Sequence, residues 1–382
     1  IKMTIRQFQL GKNFIFLFLC LLTPLSYGVE PSEAAKIMLA ELALKESLTP
    51  LSTNPLWQKP KRIVLLLTRG DLKMSPEIKA SFESAADGAE LTIVSDVEAE
   101  REKILQADVL LGDCNVAAME MTQLKWVQYF SAGVELCLDN PVYREEAVML
   151  TNMKGVYGPG IAEHVIAMMF SLSRGLHRFH PEQMQGKWNR GLARKYPLQE
   201  LRGKTILIVG LGGIGSEIAW RANALGMRVI ATRNSSRDKP AFVDYVGLSD
   251  DLLDLSKQAD VVVNATPLTP ATNNLFDKNF FEVLKPSAYF INIGRGKSVV
   301  TKDLVTALKS GKLAGAALDV IEPEPLPENH ALWRLPNVII TPHISGYSDL
   351  VMARFWVFVR ENLRRYVSGE KMLNEVNIDK GY

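Results

Sequence analysis

Thr205 to Gly215 reads TILIVGLGGIG, and this stretch decides the fold of the chain around it. Its first five residues are apolar or β-branched and predict a buried strand, and a G-x-G-x-x-G turn follows without a break. Glycine permits the tight turn, lets backbone amides approach a pyrophosphate, and allows the next helix to pack closely with its positive end facing that anion. The candidate cofactor-binding residues of this turn are Gly210, Gly212, Gly213, Ile214 and Gly215.

Length and composition are those of an ordinary soluble protein with about two domains. The 382 residues carry a formal net charge of +2 with 47% apolar residues, so nothing indicates a nucleic-acid partner. The three cysteines form no C-x-x-C pair and have no neighbouring histidine, which predicts neither a metal site nor a disulfide framework. Cys114 and Cys137 are therefore expected to be buried or half-buried residues without a chemical role.

The first 28 residues differ from that composition. Basic residues precede an apolar run over 14–22, and a small-residue stretch follows, which together are typical of a secretory signal peptide. The run is too short to span a bilayer, so no stable membrane anchor is expected. Export to the periplasm or medium is the prediction, and a cytoplasmic protein with an uncleaved leader is the alternative. Residues 29–60 predict a helix followed by a proline-containing connector.

Strand and helix patterns alternate along the rest of the chain, which predicts an α/β protein with parallel sheets. Apolar strands begin at 62, 91, 108, 126 and 148, and after a long buried helix over 160–178 a second set begins with the glycine-rich unit. A last amphipathic helix over 350–368 would pack back on the first set. We expect two Rossmann-like doubly wound domains: a flavodoxin-like substrate domain over 61–152 plus 347–382, with the dinucleotide-binding domain, 153–346, inserted in it.

Three charged or titratable residues follow the later strands of the second set. Arg295 follows AYFINIG, Glu324 lies beyond GAALDV, and His343 follows VIIT. The carboxyl ends of parallel strands meet at one edge, where this fold places its ligands. An arginine that binds a carboxylate, a histidine that transfers a proton and a carboxylate that orients it are the parts for reducing a 2-oxo acid. Taken singly, each has a structural alternative: a surface ion pair, a solvated acid and a structural histidine.

Several short segments, taken in their order along the chain, also resemble a known protein family. They are SAGV at 131–134, GLGGIG, TPLTPAT at 266–272, INIGRG at 291–296, LDVIEPEPLP at 318–327 and LPNVIITPHISG at 335–346. From about Lys61 to Asn374 the chain resembles the D-isomer-specific 2-hydroxyacid dehydrogenases, which include glyoxylate/hydroxypyruvate reductases. The resemblance implies catalytic roles for Arg295, Glu324 and His343, and a homodimer.

The resemblance also implies ligand contacts. Backbone groups of Ala132, Gly133 and Val134, together with Arg295, would hold the substrate carboxylate, and Asp319 would bond the nicotinamide amide. The further cofactor contacts that it implies are Thr266, Pro267, Thr272, Ile293, Gly294, Arg295 and His343. The chain departs from the family pattern at Glu135, where aspartate is frequent.

Cofactor preference is indicated by the residue at the end of the second strand of the dinucleotide unit. An NAD-preferring site places an acid there against the ribose 2′-hydroxyl, and this chain has Arg233. Arginine can bind a 2′-phosphate, with Asn234 and Ser235 as nearby donors. The alternative is a solvated basic loop. We therefore expect NADP(H) to be preferred over NAD(H).

The sequence predicts an NAD(P)H-dependent reductase that converts a small 2-oxo acid to a D-2-hydroxy acid. Two other functions remain open at this point. One is a nucleotide-sensing regulatory protein on the same fold, and the other is a short-form phosphoglycerate dehydrogenase.

Overall fold

The fold is described from a computed structural model. It covers residues 32–382 apart from 43, 56, 69, 71, 115–120, 139, 146–147 and 235. The predicted signal peptide and Ser235 lie outside the described residues. Within the described residues, no helix is long and apolar enough to cross a membrane.

Five parallel strands of the described chain form the first sheet, in the order β2-β1-β3-β4-β5. This is the flavodoxin-like order. The strands are β1 Arg62–Leu66, β2 Glu90–Val94, β3 Val109–Gly112, β4 Trp126–Tyr129 and β5 Met149–Thr151. The helices of this part are α1 Glu33–Glu41, α2 Pro76–Ala85, α3 Arg101–Leu105, α4 Glu135–Leu138 and α5 Val142–Glu145. Strands β3 and β4 are buried along their whole length because helices or loops cover both faces.

Seven parallel strands of the described chain form the second sheet, in the order β12-β11-β10-β9-β6-β7-β8. Strands β6 to β11 are arranged in the Rossmann order, and β12 adds a seventh strand beside β11. The strands are β6 Thr205–Val209, β7 Arg228–Thr232, β8 Tyr245–Gly247, β9 Val261–Asn264, β10 Tyr289–Asn292, β11 Gly315–Leu318 and β12 Val338–Ile340. The helices are α6 Gly158–Ser173, α7 Leu176–Met184, α8 Gly191–Lys195, α9 Gly213–Ala224, α10 Leu252–Ser256, α11 Lys278–Val283 and α12 Thr301–Lys309.

The last helix, α13 Val351–Val367, returns to the first sheet. Tyr366 stacks on Trp126 of β4 with 4.6 Å between ring centroids, and Trp356 meets Phe82 of α2 edge-on at 5.8 Å. The strands of the second sheet therefore lie, in sequence, between β5 and α13, which both belong to the first domain. The predicted fold class, with the coenzyme unit inserted in the substrate unit, is confirmed.

The long helix predicted over 160–178 ends earlier than expected. Helix α6 ends at Ser173, and the separate helix α7 begins at Leu176. Gly175 lies between them with a φ of 66°, a left-handed conformation that glycine adopts without steric cost and that terminates helices. Helix α6 is buried on one side only, with Glu163 and Phe170 exposed, whereas burial of the whole helix was predicted; α7 has no buried residue.

The expectation for the cysteines was half wrong. Cys114 and Cys137 are fully buried, as predicted, but they form a disulfide across 23 residues of sequence. Cys114 follows β3, and Cys137 lies in α4, which follows β4. Because β3 and β4 are parallel neighbours, the segments after their carboxyl ends meet, and the two sulfurs come together there.

Candidate active site

The glycine-rich turn has the shape that a dinucleotide requires. Gly210 has a φ of 97°, and a Cβ on it would lie 2.8 Å from the carbonyl oxygen of Ala265. A Cβ on Gly215 would lie 2.2 Å from the carbonyl oxygen of Gly210, so no side chain fits there. Helix α9 begins directly after Gly212, and the amides of its first turn have no acceptor within the helix. The residues present therefore fit an anion such as a pyrophosphate.

Arg233 stands at the end of β7, beside this turn. Its Nε donates to the carbonyl oxygen of Leu211 at 2.9 Å, and its Nη1 donates to the carbonyl oxygen of Asp238 at 3.1 Å. Neither partner is a carboxylate, so the charge of the guanidinium is not neutralised by these contacts. Asn234 is exposed beside it, and its Oδ1 accepts from the Ser249 hydroxyl at 3.5 Å. Arg237, by contrast, forms an ion pair with Asp251 at 2.8 Å.

Three neighbouring strands present the predicted catalytic residues. Arg295 follows β10, Glu324 lies beyond β11, and His343 follows β12; these strands pair in parallel, β10 with β11 and β11 with β12. The histidine Nδ1 lies 2.7 Å from Glu324 Oε1, so the Nδ1–H donates to the carboxylate and Nε2 is not used in this contact. Half of the His343 side chain is exposed. The structure thus forms the predicted His–Glu pair.

Arg295 reaches across to the substrate domain. Its Nη1 donates to the carbonyl oxygen of Gly294 at 2.8 Å, and its Nε donates to the carboxylate of Glu135. A Cβ on Gly133 would lie 1.7 Å from Arg295 Nη2 and 2.6 Å from Glu135 Oε2. A side chain at position 133 would therefore displace the guanidinium and the carboxylate from these positions. The carboxylate of Glu135 thus lies beside Gly133, in the loop to which the substrate carboxylate was assigned.

A buried polar network fixes the backbone of Arg295, and sequence reasoning did not find it. Asn264 Nδ2 donates to Asn292 Oδ1 at 2.8 Å and to the Ser298 hydroxyl at 2.7 Å. The Ser298 hydroxyl in turn donates to the carbonyl oxygen of Arg295 at 2.6 Å. All three side chains are buried. The only signal in the sequence was one asparagine in each of two otherwise apolar strands, Asn264 in β9 and Asn292 in β10.

Asp319 supports the loop that carries His343. Its carboxylate is buried and accepts from the Thr341 hydroxyl at 2.6 Å and from the amides of Ile344 and Ser345 at 2.9 and 3.1 Å. Burial alone would raise the pKa of Asp319, but these hydrogen bonds outweigh burial and lower it. The carboxylate therefore stays ionised and holds the 341–345 loop. Its implied contact with a nicotinamide amide stays a prediction.

The other predicted contact residues lie around the same cleft. The Thr272 hydroxyl closes the 266–272 loop by donating to the carbonyl oxygen of Pro267 at 2.6 Å, and Thr266 donates to Asn264 Oδ1 at 2.7 Å. Ile293 is buried at the end of β10. The carbonyl oxygen of Ala132 accepts from Asn152 Nδ2 at 2.9 Å, which fixes the substrate loop. Val134 is buried below that loop.

Comparison with known proteins leads to the family that the sequence motifs resemble. The family model for the NAD binding domain of D-isomer specific 2-hydroxyacid dehydrogenases matches residues 166–345. Glyoxylate/hydroxypyruvate reductase A of Arabidopsis thaliana is 30% identical over 324 residues, which cover 84% of this chain and 90% of that protein. The chain belongs to the D-isomer-specific 2-hydroxyacid dehydrogenase family.

Solved structures of family members superpose on the fold. A D-isomer specific 2-hydroxyacid dehydrogenase family protein from Aeromonas salmonicida is 32% identical with a TM-score of 0.71, over 84% of this chain and 100% of that one. An NADPH-dependent glyoxylate/hydroxypyruvate reductase from Sinorhizobium meliloti, solved with NADP and sulfate, is 28% identical with a TM-score of 0.70, over the same shares of the two chains.

Proposed function

We propose that this family member reduces small 2-oxo acids to D-2-hydroxy acids and prefers NADPH as the reductant. The observation that carries the proposal is the convergence of Arg295 and the His343–Glu324 pair on one sheet edge, with Arg295 lying against Gly133 of the other domain. Relatives named glyoxylate reductase and glyoxylate/hydroxypyruvate reductase, about 30% identical to this chain, support the substrate class.

The three side chains have different roles in the proposed reaction. Arg295 binds the substrate carboxylate after that carboxylate displaces Glu135, and its charge also polarises the 2-oxo group. His343 Nε2 gives its proton to the carbonyl oxygen as the alcohol forms, while Glu324 holds Nδ1 and fixes the orientation of the ring. A bound nicotinamide dinucleotide supplies the hydride that reaches C2.

The preference for NADPH rests on Arg233. It occupies the position where an acid would contact a ribose 2′-hydroxyl, and its hydrogen-bond acceptors at Leu211 and Asp238 are neutral carbonyl oxygens. A charge-assisted contact to a 2′-phosphate stabilises a complex by about 1.5–3 kcal/mol, so we expect kcat/KM to be roughly 10- to 100-fold higher with NADPH than with NADH. The S. meliloti relative, which is NADPH-dependent, supports the same preference.

The test is a panel of 2-oxo acids assayed with NADPH and NADH side by side. Saturable oxidation of NADPH by glyoxylate or hydroxypyruvate, with slower oxidation of NADH, is expected. Equal kcat/KM values for the two cofactors would refute the preference for NADPH. The absence of turnover with every 2-oxo acid of the panel would refute the proposed reductase activity.

We also propose a homodimer, supported by the exposed apolar side chains of α7 and the segment after it. Leu176 is 55%, Met184 73% and Trp188 92% exposed, and a large exposed apolar patch marks a protein–protein interaction site. A second copy covering this face would bury them. Sedimentation equilibrium should then give twice the mass of one chain, and a monomer would contradict it.

Export is the proposed location, and the Cys114–Cys137 disulfide supports it. Disulfides persist in oxidising compartments and are rare in the cytosol. The bond lies wholly inside the first domain, where both sulfurs are buried. N-terminal sequencing of the mature protein from an exported fraction should find a start near Val29. An intact leader on cytosolic protein would overturn the proposal.

A further inference from the structure

A loop from the first domain lies directly against the glycine-rich turn. Residues 152–157 connect β5 to α6, and a Cβ on Gly213 would lie 3.5 Å from Cα of Gly155 in this loop. In the same loop, Cε of Lys154 lies 3.7 Å from where a Cβ of Gly212 would stand. The end of the Lys154 side chain therefore lies beside the second glycine of the fingerprint, which is the glycine that lets a pyrophosphate approach the backbone.

Hydrogen bonds hold the backbone of Lys154 in place. Its amide donates to Asn152 Oδ1 at 3.1 Å, and its carbonyl oxygen accepts from Asn374 Nδ2 at 2.6 Å. Asn374 also donates to the carbonyl oxygen of Asn152 at 3.4 Å, so one side chain from the segment after α13 fixes the loop at two points. The position of the Lys154 side chain beside the turn is thus set by the fold.

The ammonium group lies in an electropositive and partly desolvated place. Burial lowers the pKa of Lys154, and the positive charges of Lys45 and Arg233 lower it further. The ammonium group makes a cation–π contact with the ring of Tyr382, with 5.3 Å between Nζ and the ring centroid. Among the described residues, no carboxylate lies within ion-pair distance of this ammonium. A partly buried cation in such surroundings is stabilised when an anion binds beside it.

We propose that Lys154 binds the central pyrophosphate of the dinucleotide from the substrate-domain side of the cleft. The amides of the first turn of α9 approach the same anion from the other side, so the bound cofactor bridges the two domains. This inference rests on the proposed function. It separates two sites of phosphate recognition: Lys154 on the pyrophosphate, which NADH and NADPH share, and Arg233 on the 2′-phosphate, which only NADPH has.

The experiment measures dissociation constants of NADPH and NADH for the full chain by isothermal titration calorimetry, without an oxo acid. The variants are Lys154→Met, Lys154→Arg, Arg233→Ser and, as a matched control, Lys312→Met, an exposed lysine before β11 at the opposite edge of the sheet. Lys154→Met should raise both dissociation constants by a similar factor, about tenfold. Lys154→Arg should restore most of the affinity, and Lys312→Met should change neither value.

The outcomes distinguish this inference from the proposed function. Arg233→Ser should weaken NADPH alone; if it does not, the preference for NADPH fails while the role of Lys154 still stands. A Lys154→Met protein that loses affinity for NADPH alone would overturn the pyrophosphate contact, because the lysine would then bind the 2′-phosphate. Unchanged affinity for both nucleotides, or a wild-type chain that binds neither, would also overturn it. Thermal melting of each variant shows whether it is folded.

Discussion

His343→Asn should lower kcat for 2-oxo acid reduction by about 10³-fold. The imidazole is the proposed proton donor, and its Nδ1 is already bound to Glu324 Oε1 at 2.7 Å, so only Nε2 can give a proton to the substrate oxygen. Asparagine occupies a similar volume but cannot act as an acid near neutral pH. Steady-state kinetics with saturating NADPH and hydroxypyruvate would measure the loss.

The loss should be confined to the chemical step. The backbone amide of His343 donates to the carbonyl oxygen of Asp319, and asparagine keeps that bond and tolerates the left-handed φ of 54° found here. Affinity for NADPH and the melting temperature should therefore change little. His180→Asn, on an exposed position of α7, is the matched control and should retain full turnover. Substantial turnover by His343→Asn would remove the histidine from the mechanism.

Glu361→Leu should lower the free energy of unfolding by about 3–5 kcal/mol, because it leaves buried guanidinium groups without their shared partner. Glu361 lies on α13 and is fully buried. Its carboxylate accepts from Arg364 Nε at 3.0 Å and Nη2 at 2.9 Å, and from Arg365 Nε at 2.8 Å. Urea unfolding followed by tryptophan fluorescence would measure the change.

A partly exposed acid of the same cluster provides the control. Glu370 pairs with Arg364 at 2.7 Å, but 46% of its side chain is exposed. Because solvent screens such a pair, Glu370→Gln should cost much less stability than Glu361→Leu. Equal effects of the two substitutions would show that burial of the pair does not determine its contribution. The site residues lie on other elements, so the cofactor affinity of folded Glu361→Leu protein should be unchanged.

The sequence predicted the strands well because most of them are short, buried apolar runs. The run at Ile206–Val209 lies within β6, and the runs AYFINIG, GAALDV and VIIT contain β10, β11 and β12. The same property made the order of the sheets predictable, since parallel strands with helical connections allow few arrangements. The helix over 160–178 was drawn too long because Gly175 was treated as an interior residue of the helix, whereas it has a left-handed φ.

The positions of the proposed catalytic residues could be predicted because each lies in the loop that follows a recognisable strand. The contacts between the two domains could not, because they join residues far apart in sequence. Glu135 and Arg295 are 160 residues apart, and their pairing depends on how the two sheets face each other. The disulfide was missed for a similar reason, although one signal existed: Cys114 and Cys137 each follow one of two strands that were predicted to be parallel.

The most direct test of the proposed function is hydroxypyruvate-dependent oxidation of NADPH by the purified chain, followed by chiral analysis of the glycerate formed. Hydroxypyruvate is suited to this because its product has a stereocentre at C2, where glycolate from glyoxylate has none. The account predicts saturable oxidation with D-glycerate as the product. NADPH that binds but is not oxidised by hydroxypyruvate or any other 2-oxo acid, or formation of L-glycerate, would contradict it.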